Sequence, residues 1–173
     1  MRTFIALIPS KKSIKTIEAF QEKIPFKKRD AQTPLEKLHL TLIFCGDIDT
    51  AHVKNLAHLL MTMELVSRFS LEPEHLAVFG YDHTKRLVLT FKRTPIIDAI
   101  YMITMHEISR SKIPLDTSRP FAPHISLAKI NTRPKVSADI KLPDIEFSEL
   151  VLFQSILSRT GSRFQPIAKI QLQ

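Results

Sequence analysis

Apolar residues recur along the chain with two different periods, and these periods divide it into strands and helices. Over residues 38–42 apolar and polar side chains alternate, as they do in a β-strand with one buried face. Over 11–23, 50–68 and 95–111 the apolar positions recur every three or four residues, which is typical of amphipathic helices. Pro25 ends the first helix, Thr50 caps the second, and Pro95 suits the first turn of the third. The pattern predicts strands at 2–8, 38–42, 74–80, 86–92, 123–127, 147–157 and 164–172.

Strands and helices that intermix in this way predict an α+β fold. A length of 173 residues fits a single domain, so we expect one two-lobed domain over residues 1–173. Two similar strands lie about half the chain apart, as expected if two similar lobes each supply one of them. We therefore predict two pseudo-symmetric lobes of antiparallel or mixed β-sheet, with the helices outside and a cleft between the lobes.

These two similar strands each carry a histidine two residues before a hydroxyl. One reads Leu-His-Leu-Thr-Leu and contains His39 and Thr41; the other reads Pro-His-Ile-Ser-Leu and contains His124 and Ser126. Because side chains alternate along a strand, each histidine shares a face with its hydroxyl while the apolar residues face the core. Two such strands facing one cleft supply imidazoles for proton transfer and hydroxyls that bind an anion, without a metal. The alternative is a pair of half-buried strands whose histidines only satisfy local hydrogen bonds.

The net charge of the chain indicates which kind of partner to expect. With 25 basic and 17 acidic residues the formal charge is +8, which favours a polyanion such as RNA. Basic clusters occur at 27–29, 85–86 and 92–93, although many small proteins are basic without a specific reason. We find no signal peptide or membrane span in the sequence, and we expect a cytoplasmic monomer.

The single cysteine also fits the cytoplasm, which is reducing, because Cys45 has no partner for an internal disulfide. Strand alternation puts Cys45 on the His39 face, where it could line the cleft, but a small buried filler is the favoured interpretation.

The sequence does not favour a metal site or a cofactor site elsewhere in the chain. His52 and His58 do not share a helix face, and Arg110 occupies the position that would complete a zinc motif begun by His106. His75 and His83 have the context of turn or surface residues, and the three glycines form no phosphate-binding loop, so we expect no cofactor and no metal.

The chain resembles the two-histidine phosphoesterase superfamily, and within it the bacterial RNA 2′,3′-cyclic phosphodiesterases, historically called 2′-5′ RNA ligases. The resemblance runs nearly from end to end. It is carried by residues 1–7, by LHLTLIFCGDI (38–48), by RPFAPHISLAKI (119–130) and by QSILSRTGSRF (154–164). Two positions depart from the family pattern. Ser126 replaces the commoner threonine, which keeps the hydroxyl, and Lys129 replaces the usual arginine, which keeps the charge but loses the planar two-pronged donor.

The resemblance implies hydrolysis of RNA 2′,3′-cyclic phosphate ends to 2′-phosphates. By analogy, His39 is the acid that protonates O3′ and His124 is the base, while Thr41 and Ser126 bind the non-bridging oxygens; reversed roles would use the same residues. Phe4 resembles a phenylalanine that lies near the nucleobase, although a core phenylalanine is an equal alternative. Lys129 falls on the wrong face of an ideal strand and reaches the cleft only if the strand ends, twists or bulges after Leu127.

Alternative functions remain open. They are 2′-5′ RNA ligation, action on another cyclic phosphate, and a non-catalytic RNA-binding module. Binding alone needs cations rather than two imidazoles, so two complete histidine–hydroxyl pairs favour an enzyme.

Overall fold

A computed structural model describes residues 1–63, 67–81, 85–110, 113, 120–132, 134, 141–158 and 161–173. The helices are α1 (Lys11–Gln21), α2 (Thr50–Thr62) and α3 (Pro95–Arg110), and a 3₁₀ turn covers Leu35–Lys37. The strands are β1 (Arg2–Pro9), β2 (Ala31–Gln32), β3 (Leu40–Asp47), β4 (Phe69–Leu71), β5 (Pro73–Phe79), β6 (Arg86–Phe91), β7 (His124–Lys129), β8 (Ile145–Ser158) and β9 (Gly161–Gln171).

The strands form two antiparallel lobes that meet at a narrow seam. Their order is β4-β8-β1-β3-β7-β6-β5, with β9 added to β8 and β2 added to β7. In the described chain, β3 and β7 are matched through one residue pair, Leu40 and Ile125. We call the strands on the β3 side of this seam the first lobe and those on the β7 side the second lobe.

The two lobes repeat the same unit. β1, α1 and β3 in the first lobe correspond to β6, α3 and β7 in the second, and each strand pair is antiparallel. Each also bulges three residues after its histidine: the β1–β3 register skips Leu42 and the β6–β7 register skips Leu127. The expected α+β fold of two pseudo-symmetric lobes is confirmed, and every ladder described is antiparallel.

One face of the sheet packs with all three helices into a common core, and the opposite face carries the polar motif residues. The core face of β1 and β6 supplies Ile5, Leu7, Leu87 and Leu89, each at most 1% exposed. Each such side chain contributes about 1.5–3 kcal/mol through burial of apolar surface. The helices add buried residues to the same cluster, among them Ile17, Val53, Leu56, Leu60, Ile97, Ile100 and Ile108.

The observed elements differ from the predicted ones at the two ends of α2 and in three short elements. Asp49, rather than Thr50, caps α2, because its carboxylate accepts a hydrogen bond from His52 N (2.8 Å). This helix ends at Thr62 instead of continuing to 68, although residues 64–66 lie outside the described ranges. The short strands β2 and β4 and the 3₁₀ turn were not predicted, because two- and three-residue elements carry almost no periodicity.

Several expectations fall outside the described residues. They concern Arg119, His83, residue 111 at the end of the third helix, and most of the loops predicted at 112–123 and 134–143. In the described ranges, each helix is too short or too polar to cross a bilayer.

Candidate active site

The two histidine motifs lie side by side at the seam. With Leu40 paired to Ile125 in antiparallel register, His39 stands opposite Ser126 and Thr41 stands opposite His124. The interleaved residues Leu38, Leu40, Leu42, Ile125 and Leu127 are buried, whereas the four polar residues are half-buried on the other face. The alternation expected from the sequence therefore holds in both motifs. We call the face that carries the four polar residues the cleft face.

Both imidazoles are held in the same tautomer. His39 Nδ1 lies 2.7 Å from Lys37 O, and His124 Nδ1 lies 2.7 Å from Ala122 O. A carbonyl oxygen only accepts hydrogen bonds, so each Nδ1 carries the hydrogen that it donates. Each Nε2 is then the nitrogen left for a substrate, as a base when neutral and as an acid when protonated.

Burial lowers the pKa of both histidines below the ordinary value of 6.5. For His39, removal from water is the largest cause; the bond to Lys37 O opposes it, and the charge of a protonated His124 lowers the pKa further. For His124, removal from water again lowers the pKa, and the bond to Ala122 O opposes it. A protonated His124 therefore disfavours protonation of His39, so the protonation states of the two imidazoles are coupled.

Aromatic rings surround His39 more completely than His124. The His39 ring lies 5.2 Å from both Phe4 and Phe164, and Phe4 also stacks on Phe153 at 5.2 Å. His124 has an edge-to-face contact with Phe79 at 4.8 Å. These rings fix the imidazole planes and remove water from them, which explains the direction of the pKa shifts.

Phe4 is a packing residue in this conformation. It is 3% exposed, with its ring covered by His39, Phe153 and Phe164, so a nucleobase cannot stack on it directly. The ring with an open face is Phe44, which is 59% exposed and lies 6.1 Å from Phe4. Sequence alternation places Phe44 on the core face, and the bulge at Leu42 moves it to the cleft face.

Lys129 reaches the cleft face through the second bulge. Val88 pairs with Ser126 and Leu87 with Ala128, so Leu127 is the extra residue and the alternation of side chains reverses after it. Ala128 and Ile130 are then buried and Lys129 is exposed. Strand alternation alone would place Lys129 on the core face, and a bulge after Leu127 is one of the three irregularities that bring it to the cleft face.

A buried glutamine supports this bulge. Gln21, at the end of α1, is 3% exposed, and its Nε2 donates to Leu127 O (2.8 Å) and Thr33 O (3.2 Å). Leu127 O also accepts from Thr33 N at 2.8 Å. The Gln21 side chain thus satisfies the carbonyl of Leu127, the extra residue, and the carbonyl of Thr33 in the neighbouring segment. Nothing in the sequence pattern indicated this role.

The segment before His124 is anchored by stacking. Phe121 lies parallel to Tyr101 of α3, with ring centroids 4.4 Å apart, and the Arg93 guanidinium lies 5.7 Å from the Phe121 ring centre. Arg93 is itself held by Asp98 at 2.6 Å. These contacts tie the chain that precedes His124 to α3.

Cys45 lies in the core and not in the cleft. The bulge at Leu42 reverses its side, and burial raises the pKa of its thiol to about 12. It is the small buried filler favoured by the sequence. Across the part of the chain that the structure describes, no three His, Cys, Asp or Glu side chains are grouped to hold a metal ion.

Comparisons with known proteins agree with this architecture. No protein-family model matches the sequence. An RNA 2′,3′-cyclic phosphodiesterase of Thermotoga maritima is 26% identical over all of this chain and 96% of its own length. The structure of TT0787 of Thermus thermophilus has a TM-score of 0.77 at 22% identity and covers 99% of this chain and 98% of that one. The Escherichia coli LigT structure in complex with 3′-AMP has a TM-score of 0.74 at 20% identity and covers 99% and 97%. The two structural matches extend over essentially the whole fold.

Proposed function

We propose that this chain, which belongs to the two-histidine phosphoesterase superfamily, hydrolyses RNA ends that carry a 2′,3′-cyclic phosphate and leaves a 2′-phosphate. The observation that carries the proposal is the arrangement at the seam. Two imidazoles from opposite lobes lie on one face of the sheet, each with Nδ1 bonded to a carbonyl and Nε2 left for a substrate, and each stands opposite a hydroxyl of the other motif. The named relative acts on the same kind of substrate.

The reaction needs one base and one acid. His124 Nε2 takes a proton from water as the water oxygen attacks phosphorus, and the P–O3′ bond breaks. His39 Nε2–H donates its proton to the departing O3′, which becomes a hydroxyl. The phosphate stays on O2′, and the two histidines return to their starting states by exchanging protons with solvent.

The hydroxyls bind the charged oxygens between the two imidazoles. Within the described residues, the hydroxyl groups of Thr41 and Ser126 form no side-chain hydrogen bond, so both are available as donors to the two non-bridging oxygens. Donors aimed at these oxygens stabilise the negative charge that develops in the transition state. Lys129 adds positive charge on the same face.

Substrate binding favours the protonated form of the acid, which takes its proton from solvent. In the free protein both pKa values are lowered, which favours two neutral imidazoles at neutral pH. The cyclic phosphate carries one negative charge, and an anion beside Nε2 favours the protonated form of one histidine. A bound substrate therefore raises the pKa of the acid, while the other histidine stays neutral as the base.

A 5′-labelled oligoribonucleotide with a 2′,3′-cyclic phosphate end tests the proposal. We expect conversion to a 2′-phosphate end with EDTA present and no gain from added Mg²⁺ or Zn²⁺. A preparation that loses activity on chelation and recovers it with metal would contradict the two-histidine mechanism. Binding without conversion would favour the RNA-binding alternative, and joining to a 5′-hydroxyl strand in place of hydrolysis would favour the ligase.

A further inference from the structure

The pseudo-symmetry of the lobes places two equivalent rows of three side chains on the cleft face. In the first lobe, neighbouring strands pair Phe153 with Phe4 and Phe4 with Phe44. In the second lobe, they pair Phe79 with Arg86 and Arg86 with Lys129. The rows correspond because each ends five residues after its histidine, just beyond the bulge. One row is wholly aromatic, whereas two of three positions in the other are cations.

These rows give the cleft a direction. β3 and β7 run antiparallel across the seam, so the position beyond the motif lies toward one end of the cleft on β3 and toward the other end on β7. Phe44 therefore marks an aromatic end, with its ring 59% exposed. Arg86 and Lys129, both exposed, mark a basic end.

The basic pair is placed to bind a phosphate other than the reacting one. Adjacent strands lie about 4.8 Å apart, so two cations paired across β6 and β7 can contact one phosphate from two sides. Lys129 lies roughly 7–10 Å along β7 from Ser126 at about 3.3 Å per residue, which is the order of the distance between consecutive phosphates of an extended strand. Within the described residues, neither cation forms an ion pair.

We propose that Arg86, together with Lys129, binds the phosphodiester that joins the terminal nucleotide to the one before it, while the aromatic end receives the terminal base. This proposal rests on the proposed function and adds to it the substrate class, an oligonucleotide end in preference to a mononucleotide. The guanidinium of Arg86 gives two parallel donors to a phosphate, so Arg86 determines this preference.

The test compares two substrates that differ only in the extra nucleotide. They are cytidine 2′,3′-cyclic phosphate and a dinucleotide that ends in the same cyclic phosphate. For Arg86→Ala we expect about tenfold lower kcat/KM on the dinucleotide, through a higher KM, and a change within about twofold on the mononucleotide. The slope of log kcat/KM against log salt for the dinucleotide should become shallower by about 0.7. Arg86→Lys should restore part of the loss.

Arg163→Ala is the matched control. Arg163 is exposed on β9, next to Phe164, and alternation directs it away from the cleft face. Its removal takes away the same charge and should leave both substrates unaffected.

The outcomes separate this inference from the proposed function. If the wild-type protein converts neither substrate, the proposed function fails. If it converts both and Arg86→Ala changes the two equally, or changes neither, the function stands and the role of Arg86 is overturned. An equal loss of dinucleotide activity in Arg163→Ala would also overturn it, because net charge alone would then explain the effect.

Discussion

Two histidines, each with Nδ1 bonded to a backbone carbonyl, make the acid–base assignment testable one side chain at a time. We expect His39→Ala and His124→Ala each to lose about 10²–10⁴-fold in turnover, because each removes one proton-transfer group. The double variant should be little worse than either single one, since acid and base act as a unit. His106→Ala, which alters an exposed residue of α3, is the control and should be nearly silent. Full activity in either motif variant would refute the assignment.

The pH dependence follows from the shared surroundings of the same two residues. Turnover needs one neutral and one protonated imidazole, so kcat/KM rises as the pair loses its first proton and falls as it loses the second. Because burial lowers both pKa values below 6.5 in the free protein, both limbs should lie below that pH. We expect a bell-shaped profile with its optimum on the acid side of 6.5. A kcat/KM profile on the cyclic mononucleotide that peaks above pH 7 would contradict this.

At the residue scale, the sequence predicts which polar side chains share a face better than it predicts the residues around them. His39, Thr41, His124 and Ser126 are readable because alternation along one strand fixes their common face. Phe44 shows the limit, because strand alternation assigns it to the core face and only the bulge at Leu42 brings it to the cleft. A bulge depends on pairing with another strand, which no local pattern contains.

At the element scale, the bulge at Leu127 links α1 to the site. Gln21 donates to the carbonyls of Leu127 and Thr33 from a buried position, so Gln21→Ala leaves Thr33 O with one partner fewer and weakens the support of the bulge. We expect the free energy of unfolding to fall by about 1–3 kcal/mol. KM should rise more than kcat falls, because the bulge sets the face of Lys129 and not the histidines.

Urea unfolding and steady-state kinetics check this expectation together. Gln165→Ala, at an exposed position of β9, serves as the control. A loss of stability with unchanged KM would show that Gln21 supports the fold without positioning Lys129. A loss of kcat equal to that of the histidine variants would show that the bulge also positions the reacting groups.

Helices and long strands are the elements that the sequence predicts well, and short ones are those that it misses. Periodicity locates α1, α2 and α3 because each buries a stripe of several apolar residues. Their ends are less well determined, since Asp49 and Thr50 are both good capping residues and only the structure shows which accepts the bond from His52. β2 has two exposed residues that pair with Lys129 and Ala128, and it exists because of that long-range pairing.

At the scale of the whole molecule, two lobes with the same fold meet at the seam, but the side chains at the two ends of the cleft differ. Each lobe offers one histidine and one hydroxyl in the same arrangement, and the lobes differ in the rows beyond their bulges. The equivalent histidines could exchange roles, but a nucleotide that binds with its base at the aromatic end meets them in one orientation. If the base binds at the aromatic end as proposed, the asymmetry decides which histidine faces which ribose oxygen, a question that the matched motifs leave open.

The regiochemistry of the product tests this orientation for the molecule as a whole. If His39 protonates O3′, it lies within about 3 Å of that oxygen and the phosphate remains on O2′. We expect the 2′-phosphate as the only product, seen by phosphorus NMR and by resistance to an enzyme that removes only 3′-phosphates. A pure 3′-phosphate would leave the two-histidine chemistry standing, because the same groups would then act on the other P–O bond. It would overturn the role given to His39 and show that the nucleotide lies across the seam in the opposite sense.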